Sequence, residues 1–487
     1  MPDPVLLSDL VRRLPGGGRL VGGDAQITGV THDSRLVGSG DLFVAIPGEQ
    51  QDGHDFVDRA IAAGAAAVVV ERDVGSPSQI VVSDARAAMP WMAAAVYGEP
   101  SLRLPVVGVT GTNGKTTVTH MIERILVAAG RTAAIVGTVG ARIGDTPRSV
   151  ARTTPEASDL QRLLSEMVEA GVDVAAIEVS SHALSLHRVD GIHFRVAAFT
   201  NLMQDHLDFH GDMESYFATK ASLFTADRTD HAVIAIDGEP GRRIAAATDV
   251  PVTTVALDRD ADVRASSIVE SIAGSSFVLT TNGRQFPVDL SIPGRFNVEN
   301  ATVAAAVALE IGIDDVTISR GLSSVGTIPG RFERIESGRG FGVIVDYAHT
   351  PDAIEAVIAS ARRISEGRVI VVFGAGGDRD REKRPAMGRA ASRADVAILT
   401  SDNPRSEDPA AIVAAVRAGI PEPTAIAEEP DRRRAIRAAL EAAGSGDLVL
   451  VLGKGHETGQ EIAGRIEPFD DRVVVTDELR AIVESAT

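Results

Sequence analysis

The chain has 487 residues, room for about three domains at ~150 residues each, and 44% of them are hydrophobic, so large cores can be buried. Its 67 acidic and 48 basic residues leave a formal charge of −19, which argues against non-specific nucleic-acid binding through a basic surface while leaving room for local anion pockets. There is no cysteine, hence no disulfide and no thiolate metal site. No apolar run approaches the ~18 residues of a membrane span, and Met1-Pro2-Asp3-Pro4 lacks the basic and apolar regions of a signal peptide. A soluble cytoplasmic protein is expected.

Residues 1–103 form a first unit, with short strands expected over 43–46 and 66–70 and a helix over 57–63 that Gly64 ends. A second unit, 104–331, opens with the apolar run Val106 to Val109 and a helical pattern from Val118 to Leu126. Ser158 with Gln161 three residues on reads as a capping box, and Gly171 ends that helix. Strands follow over 172–179, 196–200 and 232–236. Over 263–292 the pattern changes to short β runs, with Thr281-Asn282-Gly283 marking a hairpin, and 297–311 is a helix.

After Pro329-Gly330-Arg331 a third unit, 332–487, alternates again. Strands are expected over 343–346, 369–373, 396–400 and 448–452, and helices over 352–364, 385–392, 410–417 and 432–443. The fold class is therefore α/β with a small first domain, a central P-loop-type, doubly wound and mainly parallel sheet, and a Rossmann-like third domain. With only 4% aromatic residues, its cores are expected to be built of small aliphatic side chains.

Strand, glycine-rich turn, Lys-Thr and helix make a phosphate-binding loop at Thr110-Gly111-Thr112-Asn113-Gly114-Lys115-Thr116-Thr117. Glycines let backbone N–H groups face phosphate oxygens, and the helix N-terminus adds partial positive charge. Lys115 can reach the outer phosphates and the Thr116 hydroxyl can ligate Mg²⁺. The loop is a variant: Val109 stands where G-x-x-x-x-G-K-[ST] has its first glycine. Glu178, at the carboxyl end of an apolar strand, is placed to hold Mg²⁺ against nucleotide phosphates. The Asp and His residues of Asn201-Leu202-Met203-Gln204-Asp205-His206-Leu207-Asp208 suggest a second Mg²⁺ position with His206 as ligand.

The variant loop resembles that of the Mur ligase family, which includes the peptidoglycan amino-acid ligases, folylpolyglutamate synthetase and cyanophycin synthetase. That resemblance implies ATP-dependent amide formation through an acyl phosphate. Further motifs match in order along nearly the whole chain. Tyr216, Lys220, Leu223 and Phe224 match Y-x-x-x-K-x-x-L-F, whose lysine is carbamylated in the family, so Lys220 would be an N6-carboxylysine. Thr153, Thr154, Ser180 and Arg188 resemble the pocket for the muramoyl-peptide, although many relatives carry Gln where Leu186 stands. Ser34 in Thr31-His32-Asp33-Ser34-Arg35 would contact the uridine diphosphate. Asn300 would lie at the adenine, and Arg331 and Asp346 would close over ATP from the third domain.

The tetrad Asp402-Asn403-Pro404-Arg405 marks, by resemblance, ligases that add meso-diaminopimelate. That amino acid carries a second, distal carboxylate, and Arg405 offers a bidentate fork for it. Arg379 would be a further carboxylate contact, and Gly453 and Glu457 would receive the distal ammonium. The resemblance thus implies a ligase that joins meso-2,6-diaminopimelate to UDP-N-acetylmuramoyl-L-alanyl-D-glutamate with ATP and Mg²⁺, working as a monomer. Alternatives are the same chemistry with L-lysine or another diamino acid, or a folylpolyglutamate synthetase-like ligase. The first unit and the tetrad argue against the last.

Overall fold

The computed structural model describes residues 3–48, 51–421 and 426–485; Met1 and Pro2 lie outside them. The strand Val106–Thr110 runs through the middle of an eleven-stranded sheet. From it the chain goes to Ala133–Gly137, then to Val174–Glu178, which pairs directly with Val106–Thr110 on one side. It then crosses over, and Val196–Phe199 pairs on the other side, followed outward by Ala232–Ala235, Val252–Ala256 and Val263–Ser271. All these pairings are parallel. The reversal of winding opens a crevice beyond the carboxyl ends of the strands at Val106–Thr110, where ligands bind in open α/β sheets.

Antiparallel strands flank this core. Gly140–Ile143 and Thr146–Arg148 lie at one edge, Gly274–Thr281 and Arg284–Leu290 at the other. The expected short β runs over 263–292 are thus long strands of the same sheet. Their hairpin turns at Asn282 (φ 48°) and Gly283 (φ 75°), the paired positive φ values of a type I′ turn.

The composition shows in the packing. Helix Arg295–Glu310 is buried around most of its circumference by residues such as Val298, Ala301, Ala304, Ala305 and Ala308. Alanine lets it lie close to helix Lys115–Ala128 and to the sheet beneath, in one apolar cluster that runs on into the third domain.

The third domain holds a six-stranded sheet, parallel except for the edge strand Glu333–Glu336, in the order Glu333–Glu336, Gly342–Asp346, Leu448–Leu452, Val369–Phe373, Val396–Leu399, Ile426–Glu428. The first domain holds a five-stranded sheet. Three of its strands, Arg19–Gly22, Gly29–Thr31 and Ser78–Val81, and the helix Ala85–Val96 were not expected, the helix because Pro90 sits inside it. The hairpin Gly459–Ile462 with Arg465–Pro468 and the helix Asp471–Ser485 were likewise unforeseen.

The expected capping box is not formed. Helix Ala157–Glu169 starts after Glu156 with no side-chain cap. The Ser158 hydroxyl instead meets Nδ1 of His32 in the first domain (3.1 Å), and Gln161 Nε2 donates to the Gly191 carbonyl (3.0 Å). Both side chains are buried and serve tertiary contacts, which displaced the local pairing. Among the described residues no helix is long and apolar enough to cross a membrane.

Candidate active site

The loop after Val106–Thr110 is held by the segment after the neighbouring strand. The N–H of Thr112 donates to the Asn201 carbonyl (2.9 Å), that of Asn113 to Asn201 Oδ1 (2.9 Å), and the Thr200 hydroxyl to the Asn113 carbonyl (2.6 Å). Gly114 adopts φ 89°, and a Cβ there would lie 2.3 Å from Oδ1 of Asn300, so only glycine fits. Helix Lys115–Ala128 begins at Gly114 without a side-chain cap, leaving the first-turn N–H groups free to bind an anion. Lys115 Nζ donates to the carbonyls of Gly111 (2.9 Å) and Thr112 (2.8 Å), and burial lowers its pKa.

The loop lies between two cavities and contributes Asn113, Gly114 and Thr117 to both. The larger, about 470 Å³, holds Lys115, Thr116, Glu178 and His206. Thr116 Oγ1 donates to Glu178 Oε2 (3.1 Å), which also accepts from the Thr138 hydroxyl (2.9 Å); Oε1 accepts from the Thr138 N–H (2.8 Å). Arg331 Nη2 donates to Thr116 Oγ1 (3.0 Å), bringing the domain junction onto the loop. His206 has φ 55°; burial lowers its imidazole to about 3, so it is neutral and free to ligate. Its Nε2 is 3.4 Å from Asp205 Oδ2. Asp205 Oδ1 also accepts from Lys383 of the third domain (3.1 Å), and His349 stands 3.7 Å from Oδ2. Burial raises the Asp205 pKa, but His349, Lys383 and His206 outweigh it and the net shift is downward.

Among the described residues no group of three or more His, Asp or Glu side chains forms a metal cage. Mg²⁺ takes one or two protein oxygens and fills its octahedron with phosphate and water. The Glu178 carboxylate, which accepts three hydrogen bonds, and the Thr116 hydroxyl beside it are oxygens of that kind.

Lys220 is 1% exposed, and its Nζ donates to the Gly111 carbonyl (2.9 Å), the same oxygen that Lys115 uses. Burial, then the Lys115 charge, push its pKa far down. Tyr216 beneath it (4.8 Å to the ring centre) shares a hydrogen bond with the Thr112 hydroxyl (3.1 Å).

Thr153, Thr154, Ser180 and Arg188 line the same large cavity. Thr154 Oγ1 donates to the Glu178 carbonyl (2.7 Å) and accepts from the Ser180 N–H (3.1 Å), and Ser180 caps helix Ser181–Ser185. Arg188, 8% exposed, is pinned by Glu156 (2.9 Å), which also holds Arg152 (2.6 Å). Next to this lies a cavity of about 540 Å³ between the first two domains, lined by His32, Arg35, Arg148, Arg152 and Arg162 among others. Ser34 sits in the His32–Arg35 loop but does not line it.

Asn300, Arg331 and Asp346 line the smaller cavity, about 190 Å³. Asp346 is committed to the junction: its oxygens accept from the N–H groups of Phe332 (2.6 Å) and Ala348 (2.8 Å).

Of the expected amino-acid residues only Arg379 lines the large cavity. Asp402, Asn403, Pro404, Arg405, Gly453 and Glu457 form a second cluster next to it. Asn403 Nδ2 donates to Glu457 Oε2 (2.6 Å), and the fully buried Lys454 reaches both Asn403 Oδ1 (3.3 Å) and Glu457 (3.4 Å). Gly453 lies against Asp402: a Cβ there would be 2.3 Å from Oδ2. The unforeseen hairpin clasps the tetrad, with the Arg405 N–H on the Glu461 carbonyl (2.9 Å) and the Ala463 N–H on the Arg405 carbonyl (2.7 Å). Arg405 Nη1 donates to the Gly377 carbonyl (2.6 Å). A Cβ on Gly376 would lie 3.1 Å from that nitrogen and 4.0 Å from Arg379 Cγ, so the two arginines flank one bare stretch of backbone.

Thr138, Asp205, His349 and Lys383 are site residues the sequence reading did not assign. Asp205 was visible inside the Asp-His motif; the other three carry no local signal.

Three family models match the chain in order: "Mur ligase family, catalytic domain" over 26–104, "Mur ligase middle domain" over 109–308, and "Mur ligase, glutamate ligase domain" over 330–455. The UDP-N-acetylmuramoyl-L-alanyl-D-glutamate–2,6-diaminopimelate ligase of Streptomyces coelicolor is 46% identical over 475 residues, covering 94% of this chain and 93% of that one. A solved structure of a ligase with the same name is 35% identical, with a TM-score of 0.68 over 94% of this chain and 96% of that chain. MurF ligase from Thermotoga maritima in complex with ADP shares the fold at 20% identity, with a TM-score of 0.67 over 94% and 98% of the two chains.

Proposed function

The chain belongs to the Mur ligase family, and from that premise we infer that it joins meso-2,6-diaminopimelate to UDP-N-acetylmuramoyl-L-alanyl-D-glutamate at the expense of ATP, in peptidoglycan synthesis. The observation that carries this reading is convergence. The uncapped helix with Lys115, the Thr154–Ser180–Arg188 group and Arg379 of the third domain face one cavity of about 470 Å³.

In the reaction a D-Glu side-chain carboxylate oxygen attacks the γ-phosphorus of ATP. The bond to the β-phosphate oxygen breaks, and ADP leaves. The amine of diaminopimelate then attacks the acyl carbon, and phosphate departs from the tetrahedral intermediate. Little covalent work falls to the protein; it positions the reactants and neutralises charge. The first-turn N–H groups and Lys115 receive the phosphates. Arg188 receives the dipeptide's anionic groups, held in place by Glu156. Thr116 and Glu178, with His206 at a second position, would hold Mg²⁺, which supplies positive charge to the phosphoryl oxygens. Burial disfavours the charged form of the Lys220 amine, which suits attack on CO₂; carbamate formation would release a proton and turn the residue into an anion beside the phosphate loop.

The five basic side chains between the first two domains suit the uridine diphosphate, and Arg405 with Arg379 suits the distal carboxylate of diaminopimelate. The reading includes domain limits at 103/104 and 331/332. It includes a cytoplasmic setting, where ATP is supplied, and a monomer. Phosphate release measured with each substrate omitted in turn tests it: release should require the UDP-muramoyl-dipeptide, ATP and diaminopimelate together. Release without the amino acid would leave only an ATPase.

A further inference from the structure

The smaller cavity contains a carboxyl group with no assigned work. Glu299 lines it, and among the described residues no hydrogen bond or ion pair holds its side chain. Asp346 on the same cavity has its oxygens tied to backbone N–H groups, and Asp352 lies exposed at the rim. Its apolar faces are Phe296 on one side and Ala353, Ala356 and Val357 of helix Pro351–Ile364 on the other, while Asn113, Asn201, Asn300 and Arg331 line the end toward the phosphate loop. A flat aromatic ring fits between those two apolar faces, with the Glu299 carboxyl beside it.

Topology fixes which end of a nucleotide meets Glu299. Its acidic neighbours are Asp237 and Asp258, which follow the strands Ala232–Ala235 and Val252–Ala256, two and three places across the sheet from Val106–Thr110. At ~4.8 Å per strand this is about 10–14 Å from the phosphate loop. Lys115 and the free N–H groups mark the phosphate end, and three carboxylates at the far end repel phosphate. The far end is left for the base. Burial, with Asp237 and Asp258 adding to it against Arg295, raises the Glu299 carboxyl to about 7.

We propose that Glu299 reads the base: its carboxyl group accepts a hydrogen bond from the 6-amino group of a purine and so selects ATP over 6-oxo purine nucleotides. This rests on the ligase reading, with ATP as substrate. An amino group satisfies the carboxylate. Above about pH 7, where the carboxyl is ionised, a 6-oxo group sets acceptor against acceptor and leaves an oxygen unpaired, a mismatch that discriminates against it. Asn300 faces the loop through Gly114 and donates to Asn297 (3.3 Å), so its amide is already oriented by other contacts.

The test is kcat/KM for ATP and for ITP in the wild type, Glu299→Gln and Glu299→Ala, together with calorimetric nucleotide affinities and circular dichroism. A glutamine amide accepts from an amine and donates to a carbonyl, so Glu299→Gln should admit ITP and narrow the ATP/ITP ratio by at least about tenfold. Glu299→Ala should weaken ATP binding and narrow the ratio as well. An unchanged ratio in both folded variants, with ATP still supporting ligation, overturns the assignment of Glu299 alone. If no nucleotide supports ligation in the wild type, the ligase reading itself falls, and this inference with it.

Discussion

Arg405→Ala is the substitution that asks most of the specificity claim. The turn around Arg405 is held by backbone bonds to Glu461 and Ala463, so it survives loss of the side chain. The folded protein loses the Nη1 bond to the Gly377 carbonyl, worth about 1 kcal/mol. Its nearest carboxylate, Glu461, stands off at 3.7 Å, so the guanidinium is available to a substrate anion. Removing one partner of a buried charged hydrogen bond costs about 2–5 kcal/mol, and each ~1.4 kcal/mol is tenfold. Use of diaminopimelate should therefore fall by about 30-fold or more, while ATP affinity stays near wild type. Arg405→Lys, which keeps charge but loses the fork, should fall between the two. Lysine should remain a poor substrate, because deleting a partner for a carboxylate does not build a lysine pocket. Steady-state kinetics with both amino acids at saturating ATP decides it. A wild type that prefers lysine, or an Arg405→Ala enzyme that handles diaminopimelate as before, refutes the reasoning.

Lys115→Ala should abolish ligation with the fold intact by circular dichroism; near-normal activity would remove the phosphate-loop assignment. Lys220→Ala should be inactive, unrescued by bicarbonate and partly rescued by acetate or formate, and ¹³CO₂ should give a carbamate resonance in the wild type that the variant lacks. Arg432 and Asp471 form a pair with both side chains fully buried (2.7 Å), so Arg432→Met should cost about 3–5 kcal/mol in chemical denaturation. Asp447 is held at about 2 chiefly by its hydrogen bond with Arg368. A depressed carboxyl contributes stability above its unfolded pKa near 4 and loses it as pH falls through about 2. Asp447→Asn should lower stability at neutral pH and flatten the acid limb between those values.

How much of this was legible in the sequence depended on whether the signal was local. Val106 to Thr117 announced strand, loop and helix because glycine spacing and apolar periodicity sit in one short stretch. Asn282-Gly283 announced its hairpin for the same reason. Ser158 and Gln161 carried a local signal that tertiary contacts overrode. The third domain's hairpin was missed because Arg465–Pro468, Arg-Ile-Glu-Pro, is exposed throughout and too short for an alternation to read. Pro90 hid a helix whose buried alanines and methionines hold it in place. In the site, Glu178 and His206 could be read from position after a strand. Lys383 meets Asp205 across 178 residues, and no sequence pattern marks such a pair. Lys220 was assigned by resemblance; its physical reason, full burial beside Lys115, is visible only in three dimensions.

The central claim is that one cavity brings ATP, the UDP-muramoyl-dipeptide and diaminopimelate together. Mass spectrometry of the product with all three present measures it most directly. The account predicts a UDP-muramoyl-tripeptide extended by one diaminopimelate, with stoichiometric ADP and phosphate, and far less product with lysine. ADP and phosphate formed at the same rate without the amino acid, or a dipeptide left unchanged, would contradict it.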